Sequence, residues 1–415
     1  MRILYIWGIR IFSFFIAIAA TFNEKARLLK YGWKKVWQQL NEISHQSPIV
    51  WIHCASLGEF EQGRPIIEAI RSNHPEFKIL LTFFSPSGYE VRKNYNMAHW
   101  VTYLPADTPQ NAKKFIETVK PTFALFVKYE FWPCFFETLH KKNIPIISVS
   151  SIFRENQIFF RWYGTWFRKT LKKVQKFYVQ DKTSAQLLKK AGILNCDVVG
   201  DTRFDRVTDI VKNARQVPIA ESFAKDASLV VVAGSTWPPD EDLLINYINN
   251  TPDDVKIIIA PHEVHESHIS QIEQKLKVPY LKFSKINSSL PLEFAKVKVL
   301  IVDTIGLLSA IYRYGHVAYI GGGFGKGIHN TLEAATYGIP VIFGPKYQKF
   351  KEARDLIKCK GGFSINNYSE LFSLIEDFRN KPTRLKASGQ SAASYVSSMC
   401  GATDIIMKEI FSIST

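Results

Sequence analysis

Glu59 is the first side chain along the sequence that could do chemistry. An apolar run at 49–52 predicts a buried strand, and Ser56 and Gly58 precede the carboxylate where a helical run begins. Such a turn lets a ligand approach backbone N–H groups, and a carboxylate there can take a proton from an attacking hydroxyl. Glutamate is also common in the first turn of a helix, so a capping role stays open. Glu61 is predicted to face solvent.

A longer run of chemistry-bearing residues occupies 302–345 and has the pattern strand, helix, strand, glycine loop, helix, strand. Gly321-Gly322-Gly323 closes the second strand, and Asn330 lies where the next helix begins, with Glu333 in its first turn. Backbone N–H groups at a helix start bind phosphate, and the carboxylate could accept hydrogen bonds from a ribose. The glycine order fits neither GxGxxG nor a P-loop. Asn330 could instead simply cap the helix, with Glu333 in a capping box.

Two clusters have side chains that metals favour, and both are better explained without a metal. Asp240-Glu241-Asp242 follows two prolines at a predicted helix start, where acidic residues are favoured by the helix dipole. His262, His265 and His268 recur every three residues, with no acidic or cysteine partner evident. The five cysteines form no CxxC pair, which favours a reducing compartment. We therefore predict no metal site and no cofactor.

The elements that position these residues alternate between strand and helix, which predicts parallel sheets covered on both faces. In the first half, strands are predicted at 49–52, 79–84, 123–127, 144–149 and 177–179, and helices at 65–71, 111–119, 134–141 and 184–191. A second series of strands starts near Leu229. The fold class is therefore α/β, with two Rossmann-like domains facing a cleft. Ligands are expected at the loops that follow the strands.

Domain boundaries follow from composition. The polar stretch 205–226 separates the two series of strands, so we predict domains at 23–210 and 211–415. Residues 3–20 are almost entirely apolar and predict an N-terminal hydrophobic anchor helix within 1–22. A cleaved signal peptide and a buried helix are the alternatives. Lysines and arginines follow the run, which places the rest of the chain in the cytoplasm by the positive-inside rule.

The charge balance predicts an anionic partner, because 53 Lys and Arg oppose 37 Asp and Glu. The stretch 159–178 interleaves aromatic and basic side chains, which suits a nucleic acid or a membrane interface. An ordinary amphipathic helix with a solvated basic face is the alternative. The apolar N-terminus favours an anionic membrane surface as the partner, and no established nucleic-acid motif is present.

Seven segments in the same order resemble the bacterial transferases of Kdo (3-deoxy-D-manno-octulosonic acid), which have the GT-B fold. They are WIHCASLGE from Trp51, FFSPSGYEVR from Phe83, VKYEFWPCF from Val127, VVGDTRFDR from Val198, AGSTWPPDED from Ala233, VDTIGLL from Val302 and HNTLEAATYGIPVIFGP from His329. The resemblance implies an inverting transfer of Kdo from CMP-Kdo to a lipid A precursor (lipid IV(A)), at the cytoplasmic face of the cell inner membrane.

The resemblance also assigns roles to residues. Glu59 would be the general base, and Ser56, Gly58 and Glu130 would face the acceptor, with Trp132 also turned toward the cleft. The CMP-binding residues would be Pro261, His262, Ile305, Gly306, Leu307, Asn330, Thr331, Leu332 and Glu333. Two positions depart from the family pattern, because His262 stands where arginine is frequent and Thr331 where proline is frequent. A UDP-sugar transferase or epimerase of the same fold, or a basic non-enzymatic binding protein, are the alternatives.

Overall fold

The computed structural model describes residues 1–286 and 294–413. The contacts between residues divide the chain into two units, Met1–Arg206 with Cys400–Thr415, and Val207–Met399. Each unit is an α/β domain with its own sheet and its own hydrophobic cores. The predicted fold class of two Rossmann-like domains is therefore confirmed.

The first unit opens with two helices and continues with alternating strands and helices. Its elements are α1 (Arg2–Ala19), α2 (Glu24–Asn41), β1 (Ile49–His53), α3 (Leu57–Asn73), β2 (Lys78–Phe83), α4 (Pro86–Arg92), β3 (Trp100–Tyr103), α5 (Pro109–Val119), β4 (Phe123–Val127), α6 (Pro133–Lys141), β5 (Ile146–Ser151), α7 (Thr165–Leu171), β6 (Lys176–Val179), α8 (Lys182–Lys190) and β7 (Cys196–Val198). The strands pair in parallel in the order β3-β2-β1-β4-β5-β6-β7. Helix α9 (Arg203–Lys212) contains the boundary between the units.

The second unit repeats the alternation. Its elements are α10 (Pro218–Ala224), β8 (Leu229–Thr236), α11 (Pro238–Asn249), β9 (Val255–Pro261), α12 (Glu266–Lys275), β10 (Tyr280–Lys282), β11 (Val299–Ile301), α13 (Leu308–Ile311), β12 (Val317–Ile320), α14 (Leu332–Thr336), β13 (Val341–Phe343), α15 (Lys351–Lys358), β14 (Gly362–Ser364), α16 (Tyr368–Asn380) and α17 (Pro382–Ser398). Its parallel sheet has the order β10-β11-β9-β8-β12-β13-β14.

The central strands are the ones that the sequence predicts best. Phe123–Val127 is a strand over the predicted residues, and every side chain in it is buried. Strands covered on both faces have continuous apolar sequences, which is why they are easily recognised. Strands β3, β7, β10 and β14 were not predicted, because they are only three or four residues long and are partly exposed.

The last helix, α18 (Ala402–Ile413), corrects the predicted domain boundary, which assigned 211–415 to the second domain. Its Phe411 ring stacks on His74 with centroids 3.5 Å apart, and Ile406 and Ile410 join a core of the first unit. The carboxylate of Asp205 accepts the backbone N–H of Thr403 at 2.7 Å. The sequence of an amphipathic helix shows which face is buried but not which domain that face packs against. The sequence therefore did not reveal that this helix belongs to the first unit.

Helix α1 lies along the first unit. The Tyr5 hydroxyl donates to the buried carboxylate of Asp107 at 2.7 Å, and the Phe12 ring contacts Trp33 and Phe84. By length and composition the helix could cross a membrane, and none of its side chains is fully buried. Its other face exposes large apolar side chains, namely Ile3, Leu4, Trp7, Ile11, Phe14, Phe15 and Ile18.

The aromatic and basic stretch 159–178 is not the single amphipathic helix considered as an alternative. It contains most of a 3-10 turn at Ile158–Phe160, a second at Trp162–Gly164, helix α7 and the start of β6. The Trp162 side chain is 88% exposed, whereas Phe159 packs against the core. The run therefore divides its aromatic side chains between the protein interior and its surface.

Candidate functional site

The candidate catalytic residues of the first unit lie where its sheet changes direction. Strands β2 and β3 lie on one side of β1, and the next strand, β4, pairs with the other side of β1. The loops after β1 and β4 therefore leave the sheet in opposite directions and open a crevice, which is where ligands bind in such sheets. Glu59 follows β1 and Glu130 follows β4.

Glu59 is buried in the first turn of α3, with 6% of its surface exposed. The backbone N–H of Ser56 donates to its Oε2 at 3.2 Å, so the carboxylate does make the capping contact that the sequence left open. Burial raises the pKa of Glu59, while Lys128 and the backbone N–H groups of Ala55 and Ser56 oppose the rise. A buried carboxylate with a raised pKa is a better proton acceptor than an ordinary surface glutamate.

Glu130 is close enough to Glu59 for the two charges to interact. Burial, followed by the charge of Glu59, raises the pKa of Glu130 to about 8, and Lys128 counteracts both. Two neighbouring carboxylates do not both ionise readily, so one holds a proton near neutral pH. The arrangement thus places two interacting carboxyl groups beside Lys128, and the raised pKa of Glu130 favours its protonated form.

Lys128 also belongs to this cluster, although the sequence did not predict it as a site residue. Its backbone has φ +63°, a left-handed conformation that is unusual for a residue other than glycine. The Lys128 carbonyl accepts a hydrogen bond from the hydroxyl of Ser151 at 2.8 Å, which holds the turn against β5. Backbone strain of this kind is concentrated at functional sites. The available sequence signal was a charged residue directly after a fully buried strand.

A buried polar network anchors the loop that carries Glu130. The Trp132 indole donates to Nε2 of His53 at 3.1 Å, so Nδ1 of this neutral ring holds the proton and donates to Thr82 at 2.9 Å. Burial lowers the pKa of His53 to about 3, which keeps the ring neutral. The Trp51 indole also donates to Thr82, at 2.9 Å. Trp132 is therefore half-buried, with its indole group held against the core of the first unit.

Ser56 and Gly58 lie at the N-terminal end of α3 beside Glu59. Ser56 is the N-cap residue, and Gly58 is exposed. A Cβ atom built on Gly58 would have no neighbour within 4 Å, so protein packing does not require glycine at this position. The open space next to the carboxylate is compatible with the close approach of a ligand.

In the second unit, three aromatic side chains gather at the equivalent change of direction, between β9 and β12 on the two sides of β8. The His262 ring stacks between Trp237 and His329, with centroid separations of 4.8 and 4.4 Å. The Trp237 indole donates to Nε2 of His329 at 3.1 Å, so Nδ1 of His329 carries the proton. Burial, then His262, lowers the pKa of His329. His329 is a further imidazole group beside His262, and the sequence prediction did not include it.

The three glycines 321–323 are required by the backbone packing of the second unit. A Cβ on Gly321 would lie 2.3 Å from the carbonyl oxygen of Ser235, and one on Gly323 would lie 2.6 Å from the Cα of Gly344. Gly322 has φ +90°, which side chains disfavour. These glycines are therefore required wherever the backbones of β8, β12 and β13 converge, before any role in binding is considered.

Asn330, Thr331, Leu332 and Glu333 form the start of the short helix α14. The Asn330 side chain accepts the Leu332 N–H at 3.0 Å and donates to Glu333 at 2.9 Å, so it satisfies one N–H of the first turn, although the N-cap residue is Thr331. The Thr331 hydroxyl is buried and has no hydrogen-bond partner within the described residues. A buried hydroxyl without a partner is costly unless a ligand or water satisfies it.

Ile305, Gly306 and Leu307 follow β11, and Ile305 and Leu307 line a separate cavity of about 390 Å³. Ile305 is 86% exposed although it is apolar, and Gly306 has φ +86°. Arg215 to Ile219 also line the cavity, and the sequence analysis treated them only as part of the polar stretch between the two series of strands. The Thr304 hydroxyl is also buried without a partner among the described residues. An exposed isoleucine beside a cavity suits contact with a flat apolar group of a ligand.

The acidic triplet after β8 is a capping element, as predicted. Asp240 accepts the Trp237 N–H at 3.0 Å and the Gly322 N–H at 2.9 Å, which ties α11 to the glycine loop. Glu241 binds Thr236 and His268 instead. Across the described parts of the chain, no three His, Cys, Asp or Glu side chains converge in a way that could hold a metal ion.

Comparison with known proteins identifies relatives of the first unit and of most of the chain. Residues 27–206 match the family described as 3-deoxy-D-manno-octulosonic-acid transferase (kdotransferase). The transferase of that name from Rickettsia typhi is 27% identical over 366 residues, covering 86% of this chain and 77% of the relative. The one from Aquifex aeolicus is 27% identical over 352 residues, covering 82% of this chain and 89% of the relative. The resemblance found in the sequence motifs is therefore confirmed.

A solved structure supports the same architecture. UDP-GlcNAc 2-epimerase from Neisseria meningitidis, bound to UDP-GlcNAc, superposes with a TM-score of 0.60 at 13% identity. The match covers 88% of this chain and 100% of that one. At such low identity the likeness concerns the fold, which is GT-B-like. The sequence relatives, and not this likeness, make the chain a glycosyltransferase.

Proposed function

We propose that this chain, a glycosyltransferase related to the Kdo transferases, moves Kdo from CMP-Kdo to a hydroxyl group of a lipid A precursor with inversion. The observation that carries the proposal is the Glu59 carboxylate, buried at the end of β1 beside Glu130 and Lys128. The identity of the transferred sugar is inferred from the names of the sequence relatives. The reaction step is inferred from the ability of the carboxylate to accept a proton.

In the proposed step, the acceptor hydroxyl attacks the anomeric carbon of Kdo while the bond from that carbon to the CMP phosphate breaks. Glu59 takes the hydroxyl proton, and CMP leaves with the electron pair of the broken bond. Burial raises the pKa of Glu59, which brings this pKa closer to the working pH, where a general base is most effective. Lys128 keeps part of the Glu59 population ionised by lowering that pKa.

The second unit is the proposed donor site. The exposed His262, at a position where arginine is frequent in the family, and His329 in the glycine loop offer imidazole groups to the donor. The unpartnered hydroxyl of Thr331 and the Asn330–Glu333 pair would contact CMP, and Ile305–Leu307 would line its base or ribose. No divalent metal is invoked, and CMP-Kdo is a substrate rather than a cofactor.

Helix α1 is proposed to lie in the plane of the cytoplasmic face of the inner membrane. The contacts of Tyr5 with Asp107 and of Phe12 with Trp33 and Phe84 hold one face of the helix on the protein. A helix that crossed the bilayer would have to give up these contacts or bring the domain with it. Its exposed apolar face is instead suited to shallow insertion. Because Phe84 also contacts Trp132, the membrane surface would adjoin the loop that carries Glu130.

The function is tested by incubating the full-length protein in mixed micelles with a tetraacylated lipid A precursor and radiolabelled CMP-Kdo. Separation of the lipids should show a labelled product, and its digestion should report the number of Kdo residues added. UDP-GlcNAc with the same acceptor is the parallel reaction. Transfer or epimerisation with UDP-GlcNAc, and none with CMP-Kdo, would establish the alternative function instead.

A further inference from the structure

A basic groove of the first unit lies between helices that follow the candidate catalytic loops, and neither Glu59 nor Glu130 lines it. It has a volume of about 590 Å³, and helices α5, α6 and α7 form its walls, with Arg2 of α1 at its edge. This volume is in the range of small-ligand sites. The lining side chains include six cations and two carboxylates, which are Arg2, Lys113, Lys141, Lys142, Lys169, Lys173, Glu117 and Glu137.

The carboxylates neutralise only part of this charge. Glu137 pairs with Lys141 at 3.3 Å and with Lys173 at 3.1 Å, and Glu117 pairs with Lys142 at 3.6 Å. The other three cations, Arg2, Lys113 and Lys169, have no ion-pair partner within the described residues. Positive charges gathered around one groove repel one another, which favours binding of an anion between them.

The position of the groove indicates which anion it accepts. The Trp166 ring forms part of the wall and contacts Tyr5 of α1, with ring centroids 5.4 Å apart. Arg2 precedes Ile3 and Leu4, whose side chains are 71% and 69% exposed on the apolar face of the same helix. A ligand in the groove would thus hold an anionic group against the lysines while apolar chains continue along α1.

We infer that this groove binds the phosphate-bearing head group of an anionic glycerophospholipid, with the acyl chains beside the apolar face of α1. The inference rests on the membrane contact proposed above for α1, and adds to it a specific lipid site away from Glu59. The phosphate lies between Arg2, Lys113 and Lys169, and the Trp166 ring packs against the glycerol and the first methylene groups. Basic grooves next to membrane-facing helices bind anionic lipids in this way.

Calorimetry with the full-length protein in a nonionic detergent tests the inference. Dihexanoylphosphatidylglycerol, below its micellar concentration, is the probe, and dihexanoylphosphatidylcholine and inorganic phosphate are the reference ligands. One saturable site for the anionic lipid is expected. Replacing both Lys113 and Lys169 by Gln should weaken its binding by about tenfold or more, since two charge-assisted contacts are lost, and replacing both by Arg should preserve it.

The matched control removes two lysines of the same unit outside the groove, Lys182→Gln with Lys189→Gln, and should leave lipid affinity unchanged. Equal loss in the control pair, equal binding of the choline lipid, or phosphate binding as tightly as the lipid would overturn the inference. CMP affinity, measured on the same samples, is expected to stay constant in all variants. A failed lipid site is therefore distinguishable from a failed transferase assignment, because neither transfer nor a bilayer enters this measurement.

Discussion

Replacement of Glu59 by Gln separates its structural role from its proposed catalytic role. The side chain can still make the capping contact, but it can no longer accept a proton. Gln at this position still offers an oxygen to the Ser56 N–H, and both Glu and Gln serve at the third position of a capping box. The loss of a general base should lower turnover by roughly 10²–10⁴-fold. At 1.36 kcal/mol for each factor of ten, this is about 2.7–5.4 kcal/mol in the activation barrier.

The stability of the same variant is expected to change in the other direction. Burial raises the pKa of Glu59, so the native protein holds its proton more tightly than the unfolded chain. Such a group destabilises the fold increasingly as pH rises from its unfolded pKa through its folded one. Gln, which never ionises, should therefore leave the free energy of unfolding unchanged at acidic pH and increase it at pH 8. Initial transfer rates and urea unfolding at both pH values measure the two effects.

A matched control requires a glutamate with the same capping role and no place at the site. Glu61 does not serve, because it pairs with Arg92 at 2.9 Å and Arg206 at 3.2 Å while it stays partly exposed to solvent. Glu370 does, since it is in the first turn of α16 and accepts the Asn366 N–H at 2.9 Å. Glu370→Gln should keep full activity. A folded Glu59→Gln protein that retained more than about a tenth of the normal rate would refute the catalytic role.

Three further predictions concern the same two units. Lys128→Gln should move the acidic limb of the kcat/KM profile to higher pH, because Lys128 lowers the pKa of Glu59, and Lys128→Arg should restore it; an unmoved limb in Lys128→Gln contradicts this electrostatic role. Burial raises the pKa of Glu130 to about 8, so its ionisation destabilises the native protein increasingly between about pH 5 and pH 8. Glu130→Gln should therefore become more stable than the original protein over this pH range, as measured by urea titrations at each pH. CMP affinity measured by calorimetry should be unaffected by EDTA, and its loss on chelation would show that a metal takes part.

The sequence by itself determined the long buried strands, their order along the chain and the family resemblance. A strand buried on both faces must be apolar throughout, so Phe123–Val127 and Leu229–Thr236 are visible without any partner. Motifs such as WIHCASLGE and HNTLEAATYGIPVIFGP are local strings, and they were sufficient for a resemblance that the comparisons confirmed. The capping role of Asp240 was also local, because it depends on residues within one helical turn.

Only the tertiary structure decided which distant residues meet. Glu59 and Glu130 are 71 positions apart in the chain, and the return of β4 to the side of β1 brings their charges together and raises the pKa of Glu130. The same holds for the inward turn of Trp132 onto His53, and for α18, which packs on the first unit. Burial and Coulomb interaction depend on distances in space, and those distances are set by strand order, which periodicity and composition do not encode.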